Sequence, residues 1–302
     1  MITLNSEHGL IIVQSWDDIV SLPGFVLDMN PSAHQLEAII GRYTFLDKIK
    51  CGLSNCHTPH GRGYIVTTKA GLKTNIGKDC GKTYFGVDFE TLSKKFDRDM
   101  TAAENRGHLC SFGFQVDELE VKIGGMRRRP KGADWVYLKV QPLLGTGRGC
   151  PTMVVRLIEG MIKTGSNRLT KPREATDEEI DALEAKQGRK ILRPHVIEEP
   201  VAEISGLQAL YPENDLRSLL VLDLTTNLDK FKQLDIDCMT YEELRHWSKW
   251  TGTVDTTLDK ARAAIESGNA LLKPENLEPF LSVLPKGVER TAFRTYLKEL
   301  QS

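Results

Sequence analysis

Residues 51–80 read CGLSNCHTPHGRGYIVTTKAGLKTNIGKDC. The stretch holds three of the chain's six cysteines and two of its seven histidines. Cys51 and Cys56 form a C-x4-C pair, His57 and His60 follow, and Cys80 closes the segment. Between them lie two β-prone runs, residues 64–68 and 72–76, joined by Lys69-Ala70-Gly71. Such runs around a short glycine-bearing turn predict a hairpin. Soft thiolates with an imidazole suit tetrahedral zinc. The expected ligands are Cys51, Cys56 and Cys80, with a loop histidine as the fourth. His60 is favoured over His57, because it leaves room for the loop to turn back while His57 follows Cys56 directly. Two other readings of the thiols stay open. One is burial as small hydrophobes, the reading given to the scattered Cys110, Cys150 and Cys238. The other is a redox pair, for which C-x4-C lacks the C-x-x-C spacing.

The order of cysteine loop, hairpin, and Gly77-Lys78-Asp79-Cys80 opening a helix resembles a treble-clef zinc finger. The resemblance covers residues 51–97. A treble clef places two cysteines two residues apart at the helix start, whereas position 83 here is threonine. The resemblance therefore implies a fourth ligand from the His57/His60 loop. It implies a stable metal-bound nucleus and no particular activity. Treble-clef nucleases of the HNH type use a histidine on the helix, and none occurs here between Cys80 and His108. A site of three thiolates and a histidine is closed, with no position for a reacting water, so the expectation is a non-enzymatic protein.

With 302 residues, 40% hydrophobic and 27% charged, the chain has the composition of a globular protein with room for two domains. No run approaches the length of a membrane span. The absence of a signal segment and the sparse cysteines predict a cytoplasmic location. A formal net charge of -1 gives no global attraction to nucleic acid, but the charge is unevenly spread. Residues 122–173 carry twelve Lys or Arg against two acidic residues, a net +10, and residues 174–203 carry a net -5. This asymmetry points to a basic surface for an anionic partner, or to two segments neutralising each other. Arg127, Arg128, Arg129, Lys131 and Arg148 are the candidate phosphate contacts, with Trp135 and Tyr137 as stacking partners. Gly145-x-Gly147-x-Gly149 lacks the spacing of a phosphate loop and reads as a plain entry to a helix.

Along the chain, residues 10–13 read as a short strand and 17–20 as a brief helix. Ser32 is an expected N-cap for a helix carrying Leu36, Ile39, Ile40 and Tyr43. Asp88 is an expected N-cap before Phe89, Leu92, Phe96 and Met100, an amphipathic helix whose pattern runs on towards Met126. Residues 135–140 read as a strand, with a helical start also open, 153–162 as a helix, and 164–173 as a polar, basic loop. Thr176 and Thr240 open capping boxes. Residues 190–205 read as an extended connection, and Asn214 as the cap of a helix reaching Phe231. Further helices are expected over about 254–267, 274–283 and 287–300. The predicted class is mainly α with a small zinc-stapled β-hairpin module (α+β) and a C-terminal helical bundle. The expected divisions are 1–126, 127–173 and 174–302, with DNA, RNA or a protein as partner and no membrane.

Overall fold

A computed structural model describes residues 2–6 and 9–301. The chain runs through β1 (Ile2–Ser6), β2 (Gly9–Val13), α1 (Trp16–Val20), β3 (Leu36–Lys50), β4 (Pro59–Thr68), β5 (Lys73–Gly77) and α2 (Lys78–Gly113). It continues with α3 (Val116–Arg128), α4 (Ala133–Val140), α5 (Thr152–Thr164), β6 (Arg168–Glu174), α6 (Asp177–Gln187) and β7 (Val196–Glu203). A π-helix (Ser218–Thr225) precedes α7 (Thr226–Phe231), α8 (Tyr241–Thr251) and α9 (Val254–Leu271). Then come α10 (Pro274–Leu277), α11 (Phe280–Val283) and α12 (Val288–Glu299). About 54% of the residues are helical, and the class is α+β. No helix is long and apolar enough to cross a membrane among the described residues.

Two compact units divide the chain: residues 1–112 with 235–249, and residues 113–234 with 250–302. The break falls at Gly113 rather than at 126, and residues 127–173 belong to the second unit.

In the first unit the expected hairpin is real, but it is the edge of a five-stranded antiparallel sheet in the order β2-β1-β3-β4-β5. Successive residues of β4 bury opposite faces, as strand geometry requires. Tyr64 and Val66 join Ile76, Phe89, Phe96 and Met100 in the core between sheet and α2. Ile65 joins Ile2, Ile19 and Tyr43 on the α1 side. The second helix predicted here is instead β3. Leu36, Ile39, Ile40 and Tyr43 have helical spacing, yet β3 carries register shifts at Leu36/Ala38, Ile39/Gly41 and Thr44/Ile49. Each bulge moves later side chains to the other face. Ile39 thus packs towards α2 and Tyr43 towards α1, and the broken alternation imitates a 3.6-residue period.

Gly86 (φ 58°, ψ -135°) kinks α2, separating the turn with Cys80 from the long amphipathic part. Asp88, the expected cap, lies two residues beyond that break. At the crowded helix start, a Cβ on Gly81 would lie 2.4 Å from the Phe89 ring.

In the second unit, residues 135–140 are helical, not extended. The buried positions Ala133, Val136 and Val140 sit at three- and four-residue spacing on α4, so packing overrides the β-prone Val and Tyr. The expected polar loop is β6, and half of the extended connection is its antiparallel partner β7. Asp215, not Asn214, accepts the amide of Ser218 (2.8 Å) at the start of the next helical stretch. Both capping boxes form, at Thr176/Glu179 and Thr240/Glu243.

Candidate metal centre

Cys51 directly follows β3, Cys56 lies in the loop before β4, and Cys80 is in the first turn of α2. Backbone pairing holds the loop onto β5: the Gly52 amide donates to Asn75 O (2.8 Å), and Met29 brackets Leu53 in a parallel bridge. Gly52 has no room for a side chain, since a Cβ would meet Thr74 Oγ1 at 2.1 Å. The turn after Cys56 uses His57 in the left-handed region (φ 52°), a conformation that costs a non-glycine residue about 1–2 kcal/mol. It reverses the chain into β4.

The three Sγ atoms lie within 4.8 Å of one another, with Cys56 and Cys80 at 3.2 Å. Sulfurs sharing a tetrahedral zinc stand roughly 3.8 Å apart for Zn–S bonds of about 2.3 Å, so the trio matches a metal's needs. Cys51 is 1% exposed, while Cys56 and Cys80 are half-buried. Burial pushes the Cys51 thiol up, opposed by hydrogen bonds from the amides of Leu53 and Gly77. Partial burial also resists ionisation of Cys56, but the Thr58 hydroxyl and amide outweigh it and hold the thiol below its ordinary value. Cys80 is pushed up to about 12, by burial first and then by the neighbouring sulfurs. Three thiols this close oppose each other's ionisation, and a divalent cation removes the conflict. Amide donors to Cys51 and Cys56 from the residue two positions on stabilise thiolates at the two loop ligands.

His60 lies outside this group, and among the described residues no histidine or carboxylate joins the three sulfurs at that distance. Its ring stacks on Tyr43 (centroids 5.8 Å), and its Nδ1 is 3.0 Å from Tyr43 Oη. Its Nε2 is buried without a hydrogen-bond partner. Burial holds this imidazole below its ordinary pKa. His57 points elsewhere, with Nε2 3.5 Å from Asp28 Oδ1. Sequence reasoning missed the polar backing of the site. Asn75 is fully buried and donates to Tyr43 Oη (3.3 Å) and Lys50 O (2.8 Å). An asparagine inside a β-prone run is the signal that could have found it.

The basic residues are less concentrated than their spacing suggests. Arg127, Arg128, Arg129 and Lys131 share the corner between α3 and α4, where a Cβ on Gly132 would strike three carbonyls within 2.8 Å. Arg127 is engaged by Asp134 (Nε–Oδ1 3.0 Å, Nη2–Oδ2 3.3 Å). Lys131 Nζ lies over the Trp135 ring at 5.7 Å. Arg148, in the loop before α5, donates to Gln141 Oε1 (2.7 Å). Arg128 and Arg129 are exposed. In β6 the bases are neutralised by neighbouring elements: across the ribbon Lys171 pairs with Glu199 (3.0 Å) and Arg168 with Glu203 (3.7 Å), while Arg173 pairs with Glu179 of α6 (2.6 Å) and reaches Glu199 of β7 (3.8 Å).

Comparison of the chain with family models, with curated proteins and with solved structures gives no match.

Proposed function

We propose that this chain is a zinc-stapled binding protein that contacts nucleic acid through the α3–α4 corner. The observation that carries the metal half is the convergence of Cys51, Cys56 and Cys80 from loop and helix onto one point, with amides directed at the loop sulfurs. The loop–hairpin–helix order resembles the treble clef, and zinc would tie its three parts together. His60 would complete the tetrahedron after a side-chain shift, which would also satisfy its orphaned Nε2. The metal's part is structural, holding thiolates that otherwise resist ionisation. Elemental analysis of protein purified without added metal tests this. About one zinc per chain is expected in the wild type and none in Cys80→Ser; no metal in well-folded wild type overturns it.

For nucleic acid, the support is that Arg128, Arg129 and Lys131 lack an ion-pair partner among the described residues, while the β6 bases are occupied. Guanidinium groups at the end of α3 would bind phosphate oxygens bidentately. A mobility-shift assay with DNA and RNA tests it, repeated on R128A/R129A/K131A. Binding that weakens uniformly across sequences and loses salt dependence in the variant supports the corner; no shift at low salt overturns it. A second reading, a protein-interaction component, is favoured by a cleft of about 330 Å³ lined by Tyr137, Leu138, Leu216 and Val221 beside Arg127 and Arg217. Leu138 is 65% exposed there.

A further inference from the structure

The helix that begins at the cysteine site has two electrostatic faces, and only one is satisfied within the first unit. On α2, Glu90 is taken by Lys82 (2.8 Å), Asp97 accepts from Tyr64 Oη (2.6 Å), and Glu104 accepts from Arg42 (2.5 Å). These acids follow at seven-residue spacing, which keeps them on one side of the helix. Lys94, Lys95 and Arg98 line an open cleft of about 580 Å³ against Met239, Tyr241 and Leu244, with Asp99 as the cleft's one acidic residue. Glu90 stands four residues before Lys94, the favourable helical arrangement, but Lys82 holds it instead. Lys94 and Arg98 are themselves four apart, a like-charge spacing that costs an isolated helix a few tenths of a kcal/mol. Among the described residues neither they nor Lys95 forms an ion pair.

The far wall of the cleft is fixed by another cation. Arg106 donates to the carbonyls of Ile236 (3.3 Å), Asp237 (3.3 Å) and Met239 (3.5 Å), so it holds residues 236–239 and is not free for a ligand. That anchoring presents Tyr241, whose ring lies under the Arg98 guanidinium at 5.0 Å. The cleft therefore combines three cations without an ion pair, on adjacent helical turns and beside the single acid Asp99, with an aromatic platform and a small apolar floor. Single-strand-binding surfaces use this combination, with charge following the backbone and rings meeting the bases.

We propose that this cleft is a second nucleic-acid contact, seating the phosphodiester backbone of a single strand on Lys94, Lys95 and Arg98. The site stands on the geometry of the first unit and rests on the nucleic-acid reading above only for the class of its ligand. The test is fluorescence anisotropy of the full-length, metal-loaded protein with a labelled oligodeoxynucleotide and an oligoribonucleotide, at salt from about 50 to 200 mM. Wild type is compared with K94Q/K95Q/R98Q, with K94Q/K95Q, which leaves the Arg98–Tyr241 contact intact, and with R128A/R129A/K131A. Each lost backbone contact removes about 0.7 from the slope of log affinity against log salt, so a fall of about 2 is expected for the triple cleft variant and about 1.4 for the double. Circular dichroism and zinc content should match wild type. A wild-type slope in both cleft variants, with binding lost only in the α3–α4 variant, overturns this site and leaves the corner standing. Loss in the cleft variants alone supports the cleft and removes the corner. A wild type that binds neither oligonucleotide at low salt overturns both.

Discussion

The β4–β5 hairpin of the first unit and the β6–β7 ribbon of the second are both antiparallel strand pairs bordered by a helix. In the hairpin the polar groups face inward: Asn75 and Thr74 are fully buried, and Cys51 sits beneath them at 1% exposure. In the ribbon they face outward, as pairs such as Lys171–Glu199 and Arg173–Glu199 whose side chains are a third or more exposed. Buried polar groups left unpaired cost several times what an exposed ion pair contributes. The hairpin therefore depends on its buried donors and acceptors far more than the ribbon depends on any one pair, although His60 Nε2 and Asn75 Oδ1 stay unpartnered there. A chain can place strong chemistry in either setting, but only the buried setting makes that chemistry decisive for folding.

The sharpest way to break this contrast is to remove the metal proposed for the three thiols. Structural zinc contributes on the order of 10–16 kcal/mol in small finger peptides. Chelation, or Cys51→Ser, should collapse amide protection around residues 51–80 while β6–β7 stays protected, read by hydrogen exchange with mass spectrometry. Equal loss in both regions would erase the distinction. Next in size is the core behind the site. Phe89 is 1% exposed and meets Tyr64 edge-on (centroids 5.6 Å), so Phe89→Ala should cost about 3–5 kcal/mol. In the same urea titration Arg173→Gln should barely move the midpoint, because exposed ion pairs are screened by solvent.

A smaller effect is expected at Gly77, where a Cβ would lie 2.8 Å from His60 Cδ2. Gly77→Ala should cost about 1–3 kcal/mol through overpacking. It should also weaken metal retention in a chelator competition, because the same residue's amide donates to Cys51. Unchanged retention would detach His60 and Gly77 from the site. The smallest change concerns Glu179, which Arg173 and the Thr176 amide hold at about 2, below its ordinary 4.5. A depressed carboxyl pKa contributes stability above the unfolded value and loses it as pH falls through the folded one. The stability advantage of wild type over Glu179→Gln should thus be full above about pH 4.5 and gone near pH 2. A pH-independent difference in denaturation midpoint would show that the ion pair is not its source.

Much of this was legible in residue spacing. The cysteine loop, the hairpin, the helix opening at Cys80 and both capping boxes depend on neighbours in sequence, and local rules found them. The errors share a cause. Residues 36–43 looked helical because bulges in β3 shift its faces, and a bulge is set by the partner strand. Residues 135–140 looked extended because Val and Tyr favour strands, while burial on α4 follows the helical period. The loop over 164–173 was a strand whose partner lies about 30 residues on, in β7.

For the candidate site, the sequence by itself determined the ligand chemistry: three thiols and two nearby imidazoles, with the hairpin and helix that carry them. It also determined that the central charge excess had either an outside partner or an internal one. Only the tertiary structure decided which thiols converge, that His60 turns to Tyr43 with one nitrogen left over, and that Arg168, Lys171 and Arg173 are neutralised by acids of β7 and α6. It also decided that Lys94, Lys95 and Arg98 are left without such ion pairs on a helix where Glu90, Asp97 and Glu104 are engaged by Lys82, Tyr64 and Arg42. The physical reason is range: local spacing encodes which groups a turn or helix presents. Whether a charge or sulfur is satisfied depends on segments that arrive from tens of residues away.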